Sequence, residues 1–180
     1  MKKLSFLALL AIASFASTAN AQTSAATTTN AGAVLLKAMT LSQTAPLHFG
    51  SNVLVTNAGG TVVLPSNSST RTYTGGVATS AATPTATNAA YNVTGTALET
   101  YALTLPTTTT VTHTTVASGV YQMDITDMKA RFNGAGSDAV TSTLSSSGTD
   151  SFTLGGTLTV QASQIGGVYA GTFNVSIDYN

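Results

Sequence analysis

Between Phe173 and Tyr179 every second residue is large and apolar: Phe173, Val175, Ile177 and Tyr179 alternate with Asn174, Ser176 and Asp178. Successive side chains of a β-strand point to opposite faces of the sheet, so this period of two specifies a half-buried strand. The strand runs to the last residues of the sequence, and no hairpin partner follows it. Its outer edge has to be paired or covered in another way, because an open row of N–H and C=O groups accepts a further strand. The terminus is therefore a candidate assembly element as well as a structural one.

The rest of the chain agrees with a β architecture. From Ala33 onward Thr, Val, Ala, Ser, Gly, Leu and Tyr dominate, and no segment keeps helical periodicity for more than one turn. Thr and Val are stiff at χ1 and favour strands. Strands are predicted at Val34–Leu41, Leu47–Phe49, Asn52–Val55, Thr61–Leu64, Thr70–Thr74, Tyr91–Thr94 and Tyr101–Leu105. Others are predicted at Thr109–Thr115, Gly119–Asp127, Ala139–Leu144, Ser151–Val160 and Val168–Tyr179. Turn signals separate them at Asn57–Gly60, Gly75-Gly76, Asn133-Gly134, Ser147-Gly148 and Gly166-Gly167, and Ala78–Asn88 reads as a loop. Short strands at this spacing point to an antiparallel sandwich or barrel. An outer-membrane barrel would need strands of about 9–11 residues with aromatic girdles. The predicted strands are mostly shorter, and the chain has no Trp.

The N-terminus reads as an export signal, residues 1–21. Lys2 and Lys3 form the basic start, Leu4–Phe15 the apolar segment, and Ala19-Asn20-Ala21 the cleavage site. The apolar run is shorter than the roughly 20 residues that span a bilayer. Cleavage before Gln22 leaves 159 residues: a polar leader at 22–32 and one domain at 33–180. The expected location is the periplasm, cell surface or exterior of a bacterium. No cysteine is present, so stability must come from the core, hydrogen bonds or oligomerisation, and thiol chemistry is excluded. Beyond the signal, Lys37, Arg71, Lys129 and Arg131 face Glu99, Asp124, Asp127, Asp138, Asp150 and Asp178, a net charge of −2. Four scattered cations cannot neutralise a nucleic-acid backbone or hold an anionic membrane.

Groups for catalysis are sparse. His48 and His113 are the only histidines, and both fall on predicted strands; no G-x-S-x-G elbow occurs. Asp124 and Asp127 are the nearest carboxylate pair, and they read as a solvated strand end rather than a Ca²⁺ site. Asn133–Asp138 is glycine-rich but lacks the lysine of a phosphate loop, and reads as a hairpin loop. Tyr73, Tyr91, Tyr101, Tyr121 and Tyr169 could grip sugars, although strand tyrosines more often fill a core. The sequence names no catalytic residue, metal site or cofactor.

Leu47-His-Phe-Gly50, Tyr91-Asn-Val-Thr-Gly95 and Tyr101-Ala-Leu-Thr-Leu-Pro106 follow one another in order, then Phe152–Val160 and Gly167–Tyr179. This order resembles the bacterial secreted family called domain of unknown function 4402, over residues 33 to 180. The resemblance implies an exported all-β domain. The terminus is also similar to subunits of chaperone–usher fimbriae, which carry an alternating final strand with a penultimate Tyr and a Gly fourteenth from the end. Those subunits are immunoglobulin-like sandwiches lacking one strand, which a periplasmic chaperone and then the next subunit supplies. That likeness implies that Phe173, Val175, Ile177 and Tyr179 line the groove edge and that Gly167 lets the strand bend. Two departures stand against it. The leader before Val34 is almost wholly small and polar, with Val34, Leu35 and Leu36 falling where the first strand should begin, and the disulfide common in such subunits is missing.

Three readings follow. The first is an exported, non-catalytic surface subunit that assembles with itself or a periplasmic chaperone through the C-terminal edge strand. The second is a secreted carbohydrate-binding module using tyrosines near Tyr73 or Tyr121. The third, a hydrolase, needs His48 or His113 beside Asp124 or Asp127.

Overall fold

In a computed structural model, the structure describes residues 24–51, 53–79 and 84–180, so the segment 1–21 that reads as an export signal lies outside the described residues. Residues 35–180 form one compact unit. Its β-branched and apolar alternation produces eleven strands, all paired antiparallel, and no helix among the described residues. They are β1 (Thr40–Ala45), β2 (Val53–Leu64), β3 (Thr72–Thr79), β4 (Ala89–Thr94), β5 (Thr100–Thr104), β6 (Thr108–His113), β7 (Gln122–Phe132), β8 (Thr141–Thr143), β9 (Thr149–Val160), β10 (Tyr169–Ala170) and β11 (Ser176–Tyr179). The expected all-β sandwich is what forms: an eight-stranded sheet and a three-stranded sheet ordered β11-β5-β8.

β9 is the spine of the large sheet. Its first half pairs β4 on one side, its second half pairs β2 on that same side, and β7 runs along the other. Phe152, Leu154, Leu158 and Val160 share the inward phase of this strand and are all buried. Phe152 and Leu154 enter one apolar cluster with Tyr91, Val93, Tyr101, Leu103, Phe132 and Leu144. Leu158 and Val160 enter a second with Val62, Leu64, Val77, Met123 and Ile125. Each fully buried large side chain contributes about 1.5–3 kcal/mol of transfer free energy.

β7 serves both clusters by changing phase. Met123 and Ile125 point inward, and so do Ala130 and Phe132, which differ from them in parity. The change occurs at a bulge between Thr126 and Lys129, where Asp127 takes φ 49°. Asp127 thus sits inside a strand that continues to Phe132, not at the strand end expected from sequence. β2 absorbs Asn57–Gly60 in the same manner, as an irregularity within one twelve-residue strand, and β3 runs through Gly75-Gly76. Both had read as turns.

Two further corrections bear on function. The first strand starts at Thr40 rather than Val34, and it leaves Val34 90 % and Leu35 85 % exposed. The segment Val168–Tyr179 is not one strand. Tyr169–Ala170 pairs β6 in the large sheet, residues 171–175 have no regular structure, and Ser176–Tyr179 pairs β5 in the small one.

Candidate functional site

β11 forms the rim of the small sheet and pairs only with β5 among the described residues. The register sets Tyr179 opposite Tyr101 and Ile177 opposite Leu103, so these four side chains share the inner face. Tyr101 and Leu103 are buried, while Phe173, Val175, Ile177 and Tyr179 are half-buried against the same cluster. Met39, just before β1, and Leu41 within it are half-buried against the same cluster too. β1 pairs only with β4, and no ladder joins β1 to β11. Two strand edges therefore border one apolar core with no strand between them among the described residues.

The two edges are tied at one end. Tyr179 Oη donates to Lys37 O at 2.7 Å and accepts from Thr96 N–H at 2.7 Å. Lys37 N–H donates to Thr96 Oγ1 at 2.6 Å. A methyl group at Gly95 would lie 2.5 Å from Tyr179 Oη, so the close seat of the ring requires glycine there. Tyr179 thus clamps the entry to the domain as well as lining the rim. Sequence reasoning missed Lys37 and Thr96, because both bond Tyr179 through main-chain groups that any residue carries and that partner lies 142 and 83 positions away.

Gly167 has a different task from bending a strand. It has φ 149°, and a side chain there would run into the His113 ring. His113 is buried. Its Nδ1 accepts from Thr115 N–H and Val116 N–H at 3.1 Å each, and the hydrogen-bond network assigns the ring proton to Nε2, which donates to Gly166 O at 3.1 Å. The ring also meets Tyr169 edge-on at 5.1 Å. The histidine is a pin for the loop that carries Gly167.

A model of the family described as "Domain of unknown function (DUF4402)" matches residues 39–179. The chain belongs to this family. No curated protein and no solved structure matched it. The matched stretch of this DUF4402 domain begins at Met39, so Val34, Leu35 and Leu36 precede it.

The remaining candidates in the DUF4402 domain occupy separate places. His48 Nδ1 accepts from Gly50 N–H at 2.8 Å, and neither histidine hydrogen-bonds a carboxylate among the described residues. Asp124 accepts from Thr110 Oγ1 at 2.8 Å, and Asp127 pairs with Lys129 at 3.0 Å on the surface. Tyr91 stacks on Phe152 and Tyr101 meets Phe132 edge-on, both within the core, whereas Tyr73 is exposed. No group of three or more metal-ligating side chains occurs among the described residues. No helix among them is long and apolar enough to cross a membrane.

Proposed function

We propose that this chain is a non-catalytic structural subunit of an exported surface assembly, joined to its neighbours by strand addition at the β11 rim. The observation that carries the reading is the half-buried row Phe173, Val175 and Ile177, which lies on the core beside an edge paired on one side only. Main-chain pairing at such an edge gives affinity, and pockets for alternate side chains give register. The donor in this reading is the segment around Val34–Leu36 of another copy. It is apolar, exposed and outside β1, and it leaves the domain at the tethered Lys37. The small polar leader that stood against assembly in the sequence precedes this segment and need not enter the rim.

The absence of cysteine allows a direct test. One variant carries Leu35→Cys and another Ser176→Cys. Mixed under oxidising conditions, the two should form a crosslinked heterodimer, while the unmixed variants crosslink much less. Full-length wild type should elute as concentration-dependent oligomers, and protein recovered from the cell exterior should begin at Gln22. A protein that stays monomeric at all concentrations, with no mixed crosslink, overturns the reading.

A further inference from the structure

The end of the sandwich where β9 begins carries a polar depression that strand addition would not use. Its volume is about 590 Å³, inside the range of small-ligand sites, and Asn92, Asn133, Thr143, Thr149 and Asp150 are in its wall. Asp150 is unusual in its phase. It shares the inward parity of Phe152 and Leu154, so an acid stands where the strand otherwise buries apolar groups. Its carboxylate is fixed by the protein. Oδ2 accepts from Tyr101 Oη at 2.9 Å and from Ser142 Oγ at 2.6 Å, and Oδ1 accepts from Ser151 N–H at 2.7 Å. The buried Tyr101 is the rigid end of this arrangement. Burial, and then the bond to Asp150, hold its hydroxyl above the usual tyrosine range, so it stays a donor. A carboxylate has about four lone-pair positions, so three donors leave acceptor capacity on Oδ1.

Two further amides belong to the wall of the depression. Asn92 lies opposite Ser151 in the β4–β9 ladder, and Asn133 N–H donates to Ser151 O at 2.8 Å. Both side chains are exposed and have no hydrogen-bond partner among the described residues. Each offers a carbonyl acceptor and an NH₂ donor. Ser145 and Thr149 of the wall, together with neighbouring Ser147, hold their hydroxyls 2.9–3.1 Å apart. No Lys, Arg or His lines the depression, so an anion finds no counter-charge, and the single carboxylate is too few for a divalent cation site. No aromatic ring lines it either, so stacking on a flat apolar ligand is not on offer. The wall suits a partner that both donates and accepts at several closely spaced oxygens.

We infer that this depression binds a neutral, multiply hydroxylated ligand, the pyranose unit of a glycan, through Asp150 and Asn133, with Asn92 at the outer margin of the wall. The site is separate from the β11 rim and is present in a monomer, so it stands whether or not the chain assembles. Because the three donors already fix the carboxylate, binding does not have to order it.

The test is a ¹H–¹⁵N NMR titration of the full chain with neutral mono- and disaccharides, each up to about 10 mM, with CaCl₂ alone as a parallel arm. At least one sugar should shift amides at 92–94, 133 and 143–151 and leave those of β11 unmoved. Asn133→Ala should weaken that binding about tenfold, roughly 1.4 kcal/mol, with an unchanged melting temperature. Asn92→Ala serves as an independent second variant. The inference is overturned if no sugar moves these amides, if CaCl₂ moves them and sugars do not, or if both alanine variants bind like wild type.

Discussion

Replacing Tyr179 with Phe isolates one hydroxyl group without opening a cavity. That hydroxyl donates to Lys37 O and accepts from Thr96 N–H, each at 2.7 Å, and the ring remains seated over Gly95. Lys37 is exposed, so water replaces the lost donor at a cost of about 0.5–1 kcal/mol. Thr96 is half-buried, and its unpaired N–H costs about 1–1.5 kcal/mol. The expected loss is therefore about 2 kcal/mol, which lowers Tm by roughly 4–8 °C in a domain of this size. Urea unfolding should show a lower midpoint at an unchanged slope, because no surface is newly exposed in either state. The Lys37 amide, bound to Thr96 Oγ1, should exchange faster in the variant while amides of β9 keep their relative protection. Gly95→Ala should cost less in the Tyr179→Phe background than in wild type, since the added methyl would meet the hydroxyl. A Tyr179→Phe variant within about 0.5 kcal/mol of wild type, with unchanged exchange at Lys37, would refute the clamp.

Gly167→Ala should destabilise by about 2–4 kcal/mol in a urea melt, because the new side chain meets the His113 ring at a backbone angle that suits glycine. The same change in a His113→Ala background should cost clearly less. A third expectation concerns acid. Ser66 Oγ donates to Asp138, and that bond, followed by Arg131, holds the Asp138 carboxyl below its ordinary 3.8. A depressed carboxylate contributes stability above its unfolded value and loses it as pH falls through its folded one. Ser66→Ala should therefore unfold more easily at pH 7, and the gap from wild type should close below pH 3.8 in chemical denaturation at stepped pH. A gap that stays constant or widens in acid would refute this linkage.

The sequence announced the strands wherever side-chain alternation and hydrogen-bond pairing coincide, as across Ser151–Val160. It was silent where they separate. From Phe173 to Tyr179 the alternation correctly marked a face turned toward the core, yet the chain had already passed from the large sheet to the small one. Period two reports which side is buried; it carries no information on which strand accepts the N–H groups. The irregularities at Asp127 and Asn57–Gly60 were hidden for a related reason, since the extra residues, one in β7 and three in β2, leave local propensity intact and only reset the phase. Val34–Leu36 read as strand because β propensity is local, whereas the partner that makes a strand is not. Asp150 could have been noticed as an acid on an apolar phase, but its Tyr101 and Ser142 partners come from the opposite sheet.

β9 pairs with β2, β4 and β7 and contributes to both apolar clusters. Neither half of the domain can then be released alone, since detaching one cluster strips the strand that closes the other. Unfolding should be a single all-or-none event seen identically by every probe. The practical consequence is temporal: resistance to protease or to pulling is governed by one barrier, and a substitution along 149–160 rescales the survival time of the whole molecule.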